Sequence, residues 1–140
     1  MRLRSLTLRG DSVLSQYKVL KIGRDNGERV LVLDSISGSR TWIMLSLFPA
    51  VRPKVGRIKL MSADGKWSSN TKMVHGQKLV MECPDSGSRL VITLLINGSK
   101  STDQACLIFE APESFRIWRE EIVPKEQYDE IRRIANAERA

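Results

Sequence analysis

The chain has 140 residues, 41% of them hydrophobic and 28% charged, and a formal charge of +7 from 23 Lys+Arg against 16 Asp+Glu. That is the composition of a folded chain with room for one ordinary domain or two very small ones, and it excludes a disordered polar polymer. No apolar run approaches the roughly 20 residues of a membrane-spanning helix. The basic start, Met1-Arg2-Leu3-Arg4, is followed by no apolar stretch, so no secretory signal is expected and a cytoplasmic location is the default.

The rarer residues narrow the chemistry. There is one histidine, His75, and two cysteines, Cys83 and Cys106, neither in a C-x-x-C pair. A zinc site needs more ligands than that. No nucleophile motif accompanies His75, so neither catalytic residues, a metal nor a cofactor is expected, and the chain reads as a non-enzyme. Cys106 lies in an apolar run and is expected in the core. Residues 1–70 carry 13 Lys+Arg against 5 Asp+Glu, whereas residues 71–140 carry 10 against 11. The basic excess therefore belongs to the first half, and such a surface attracts polyanions, nucleic acid first.

In chain order, residues 3–8 alternate loosely. Residues 13–22 are apolar-rich and end at Asp25-Asn26-Gly27, a turn signal. Residues 29–34 read as the returning strand, 35–39 as a Ser/Gly loop, and 40–47 as another strand. Pro49 and Pro53 then predict a linker at about 48–56. Strands follow at 78–83, 89–96, 105–110 and 115–118, the β-branched run 89–96 being the clearest. Pro124 suits a first helical turn. Tyr128, Ile131, Ile134 and Ala135 recur at helical spacing, which predicts one amphipathic helix over 125–139 whose apolar stripe packs on the core.

Two stretches match at an offset of 76. Leu31-Val32-Leu33-Asp34 and Arg40-Thr41-Trp42 align with Leu107-Ile108-Phe109-Glu110 and Arg116-Ile117-Trp118. The match predicts two small β units that gain stability by packing together.

Gly76-Gln77-Lys78-Leu79-Val80-Met81, the strand and turn 90–98, Gln104-Ala105-Cys106-Leu107-Ile108-Phe109-Glu110-Ala111-Pro112 and Ser114-Phe115-Arg116-Ile117-Trp118-Arg119-Glu120-Glu121-Ile122 carry a resemblance. Over about 72–122 the chain resembles the carbon storage regulator family of bacterial RNA-binding translational repressors. The specific part is Ala-Pro followed at the right spacing by Arg-Glu-Glu-Ile. Family members are short dimeric chains of five strands and a C-terminal helix. They bind RNA along paired edge strands and present a single-stranded GGA.

The resemblance implies RNA contacts at Arg119, with Arg116, Ile117 and Trp118 beside it and a base-reading loop at Ala111 and Pro112. The family's His before that Arg is Trp118 here. Its first strand, L-T-R-(R/K)-x-G-E, has no good copy before Gly76, and a closer copy stands at Leu3-Arg4-Ser5-Leu6-Thr7-Leu8-Arg9-Gly10-Asp11. The first half also lacks Arg-Glu-Glu-Ile.

The expected fold class is therefore mainly β: two small antiparallel β-sheet units packed as an intrachain pseudo-dimer, with one C-terminal α-helix. Residues 1–50 are read as a degenerate unit, 51–70 as a linker with an extra strand, and 71–140 as the second unit with the helix. The first strand is expected to pair with the last, which places Arg2, Arg4 and Arg9 beside Arg116, Trp118 and Arg119. The opposite edge is expected to pair 69–75 with 40–45. The expected function is an RNA-binding translational regulator with RNA as partner and no membrane association, acting as a monomeric pseudo-dimer or a homodimer.

Two other readings compete. A diverged homologue would keep the fold and act through a protein partner. A phosphopeptide-binding module is suggested by Ile22-Gly23-Arg24 and Ser39-Arg40, which faintly resemble the forkhead-associated domain.

Overall fold

The computed structural model describes residues 2–5, 18–25, 27–48, 55–83, 86–96 and 104–139. Among these residues are ten strands and one long helix: β1 (Arg2–Ser5), β2 (Lys18–Asp25), β3 (Arg29–Asp34), β4 (Arg40–Phe48), β5 (Val55–Ser62), β6 (Ser68–Val74), β7 (Lys78–Glu82), β8 (Arg89–Ile96), β9 (Gln104–Ala111), β10 (Phe115–Arg119) and α1 (Lys125–Arg139). A single 3-10 turn at Glu120–Ile122 links β10 to α1. The mainly-β class with a C-terminal helix is as expected. Among the described residues no helix is long and apolar enough to cross a membrane.

The strands form two five-stranded antiparallel sheets, ordered β1-β7-β8-β9-β2 and β10-β3-β4-β5-β6. Alternation along each strand sends one set of side chains between the sheets. Val30, Val32, Ile43, Leu45, Ile58 and Leu60 come from one side, and Leu79, Met81, Leu90, Ile92, Leu94, Leu107 and Phe109 from the other. On the opposite face of the second sheet Leu31, Leu33 and Trp42 are also buried. Helix α1 lies over that face. The Tyr128 ring is 6.0 Å from Trp42, and Arg40 Nε donates to Gln127 Oε1 at 2.8 Å. The 128/131/134/135 stripe is half-buried there, as helical spacing predicts.

The sheets repeat each other with a shift of 49 residues. Arg29 faces Met44 and Leu33 faces Arg40 across β3–β4, while Lys78 faces Thr93 and Glu82 faces Arg89 across β7–β8. Ile43 faces Leu60 across β4–β5, and Ile92 faces Phe109 across β8–β9. Thr71 faces Ile58 across β5–β6, and Ile22 faces Leu107 across β9–β2. Turns obey the same shift: Gly27 N donates to Leu45 O and Gly76 N to Leu94 O, both at 2.7 Å. The identical loops Ser37-Gly38-Ser39-Arg40 and Ser86-Gly87-Ser88-Arg89 approach each other around Asp34 and Cys83. There Ser37 and Ser86 both donate to Asp34 Oδ2, at 2.8 and 2.6 Å. Burial pushes the Asp34 carboxyl up, but hydrogen bonds from Ser86, Cys83 and Ser37 outweigh it and hold it below the usual range.

Four expectations are corrected. The match at an offset of 76 aligns β3 with β9, whereas β3 takes the place of β7; any inner strand resembles another in composition. Strand β1 pairs with β7, not with the last strand, and β10 pairs with β3. Segment 69–75 pairs with β5, not with 40–45, because β5 occupies the place of the expected linker and supplies the partner. Finally, Cys83 is the buried cysteine, while Cys106 is half-buried on the outward side of β9. His75 has a structural bond, its Nδ1 accepting from Ile96 N at 2.8 Å.

Candidate nucleic-acid interface

Among the described residues strand β2 is an edge of one sheet and β10 an edge of the other, and a shared groove and the Arg24–Glu121 pair bring the two ends together. Among the described residues each pairs with a single neighbour, so on that count each keeps a row of backbone N–H and C=O groups outside the ladder. Arg24, buried on β2, joins them: its Nη1 and Nη2 donate to Glu121 Oε1 and Oε2 at 2.8 and 2.7 Å. Arg29 donates to Glu120 Oε2 at 2.8 Å through Nε and stacks over Trp42 at 4.0 Å. These bonds use both acids of the Arg-Glu-Glu-Ile motif to fasten the 3-10 turn, and so fix where Arg119 starts from. The Arg24 guanidinium beside Glu121 holds that carboxyl down to about 2.

Between the strands lies a groove of about 240 Å³ lined by Val19 and Leu20 of β2 and by Ala111, Pro112, Phe115 and Ile117. Val19 and Leu20 are exposed, at 61% and 41%. Lys21, Arg116 and Arg119 stand exposed along the two strands. Among the described residues none of the ion pairs uses them. The two strands thus offer exposed cations beside a mostly apolar groove, which Glu113 also lines, and cations, apolar surface and backbone edges are groups that hold phosphate and unpaired bases.

The expected site residues divide. Ile117 and Pro112 line the groove, whereas Arg119 and Arg116 stand exposed on β10 outside its lining, Arg116 on the face that it shares with Trp118. Ala111 borders the groove but is turned into the core, its backbone paired opposite Lys18. Trp118 is half-buried opposite Leu31, on the face of the sheet that α1 covers and away from the groove. Arg2 and Arg4 are on β1, at the far edge of the other sheet, so they do not flank Arg119; β1 is drawn there by its pairing with β7. Arg9 lies outside the described residues.

Sequence reasoning missed Val19, Leu20, Lys21 and Arg24. The available signal was the turn at Gly27, which ends β2 and returns the chain as β3. Comparisons with family models, with curated proteins and with solved structures return no match.

Proposed function

We propose that this chain is an RNA-binding, non-enzymatic regulator of translation that holds single-stranded GGA-type segments in the groove between β2 and β10. One observation carries the reading: Lys21, Arg116 and Arg119 stand exposed on two strands that are sheet edges among the described residues, and no ion pair among those residues uses them. Guanidinium groups bind phosphate and guanine edges in the same planar fork, and the open edges can exchange backbone hydrogen bonds with unpaired bases. Such a role belongs in the cytoplasm, where messenger RNA is translated.

The test is a gel-shift titration with a GGA hairpin and a scrambled hairpin at two salt concentrations. The GGA hairpin binds more tightly, and affinity falls steeply as salt rises. Arg119→Ala costs about 1–3 kcal/mol and erodes the preference for GGA, as loss of a base-reading contact does. Lys21→Ala weakens both hairpins alike and flattens the salt dependence, as loss of a phosphate contact does. Binding that ignores salt, or an Arg119→Ala variant with unchanged affinity, overturns the reading and leaves the exposed apolar groove to a protein partner.

A further inference from the structure

A second hollow lies away from the groove, between loop 37–41, turn 62–67 and helix α1. It holds about 290 Å³ and is lined by Ser39, Arg40, Asp64, Trp67, Ile131 and Ile134 among others. That volume is near the lower limit for small-molecule sites.

The 49-residue shift shows what is unusual about it. Arg40 and Arg89 open β4 and β8 at equivalent places. Arg89 faces Glu82 and donates to its Oε2 at 2.6 Å, so its charge is neutralised. Arg40 faces Leu33 instead. Its Nε donates to the Gln127 side-chain amide at 2.8 Å and its Nη1 to the Gly38 carbonyl at 2.9 Å, two neutral acceptors. Glu130 of α1 feels the Arg40 charge but is held by Arg133, and among the described residues no carboxylate makes an ion pair with Arg40, so this half-buried guanidinium keeps a preference for an anion. Asp64 does not supply one: its Oδ1 accepts from Ser62 Oγ and Lys66 N within its own turn, at 2.7 and 2.9 Å. Trp67, Ile131 and Ile134, all half-buried, add a flat wall and an apolar wall.

We propose that this hollow binds a small anion with a flat apolar body, a carboxylate or a phosphate monoester, its anionic group on Arg40 and its body between Trp67 and α1. The site is independent of the RNA groove.

Benzoate and phenyl phosphate are the probes and benzamide the uncharged control, each titrated into the full chain labelled with nitrogen-15. At millimolar concentrations the anions give saturable shifts of the Ser39, Arg40 and Thr41 amides and of the Trp67 indole N–H, and benzamide gives none. Saturation by benzoate alone assigns a carboxylate ligand, and saturation by phenyl phosphate alone a phosphate monoester. Arg40→Gln weakens binding about tenfold or more, the scale of losing one charged partner. Ile134→Trp fills the hollow, leaves Arg40 in place and abolishes the shifts, which decides the matter should Arg40→Gln not fold. Absence of saturation, equal shifts with benzamide, shifts retained in Ile134→Trp, or shifts centred on Lys21, Arg116 and Arg119 overturn the proposal.

Discussion

Arg24 and Met73 occupy equivalent places on β2 and β6 and are buried to the same depth, at 4% and 3% exposure. The fold therefore accepts an unbranched apolar side chain there, and the guanidinium at position 24 serves something other than packing. It anchors Glu121, whose side chain is 52% exposed. Arg24→Met removes the buried charge and leaves its partner half in water, so unfolding free energy stays within about 1 kcal/mol of wild type. The 3-10 turn loses its tie to β2, however, and under the proposed function RNA affinity falls. Chemical denaturation beside a gel shift separates the two effects, and a variant that loses stability without losing affinity contradicts the positioning role.

The same pair sets a pH dependence. Glu121 titrates at about 2 in the folded chain against 4.5 as a free side chain. Its contribution is fully present above about 4.5 and is lost as pH falls through 2. Between pH 5 and pH 2 the melting temperature of wild type therefore drops further than that of Glu121→Gln, which has no proton to take up at that position. Parallel curves would show that the ion pair carries no stability.

At the scale of elements, the turns into β3 and β7 are the devices that move the chain from one sheet to the other. Gly27 and Gly76 hold them, at φ of 84° and 85°. A Cβ at either position meets no atom within 4 Å, so only the backbone resists a larger residue. Gly27→Ala and Gly76→Ala should each cost about 1–2 kcal/mol through the left-handed conformation alone. The two melting temperatures should fall by similar amounts of several degrees. A large difference between them contradicts the equivalence of the turns.

The sequence made some elements visible and hid others for physical reasons. Strands β3 and β8 and helix α1 were legible because β-branched runs, and the Pro124 start with its helical spacing, are local signals. Strand β6 was not, since Ser68-Ser69-Asn70-Thr71-Lys72 is an edge with a polar surface whose one buried side chain is Met73. Strand β5 follows Pro49 and Pro53, which read as a linker although the strand begins at Val55. Pairing partners were the least legible. Arg116 and Arg119 are correctly placed in a strand by their neighbours, but which strand lies beside them depends on contacts some 90 residues away in sequence, between β10 and β3.

At the scale of the whole molecule, each sheet has a three-stranded meander at its centre and one more strand on either side. The meander β3-β4-β5 is flanked by β6 and β10, and β7-β8-β9 is flanked by β1 and β2. A cut between residues 66 and 67 therefore leaves every meander without its flanking strands. Fragment 67–140 holds β6 and β10, which belong on the other meander, and their own chain cannot reach its own β7-β8-β9 in that way. Because β7-β8-β9 repeats the register of β3-β4-β5, a second copy of the fragment can supply the missing strands and receive them in return. Small units that bury little surface alone gain their core by such exchange. Fragment 67–140 is thus expected to fold only as a dimer, with circular dichroism that decays on dilution and a sedimentation mass of two chains. Mixing it with fragment 1–66 should restore the intact molecule's spectrum. A fragment 67–140 that is folded and monomeric would show that its meander is complete without exchanged edges, contrary to the strand order.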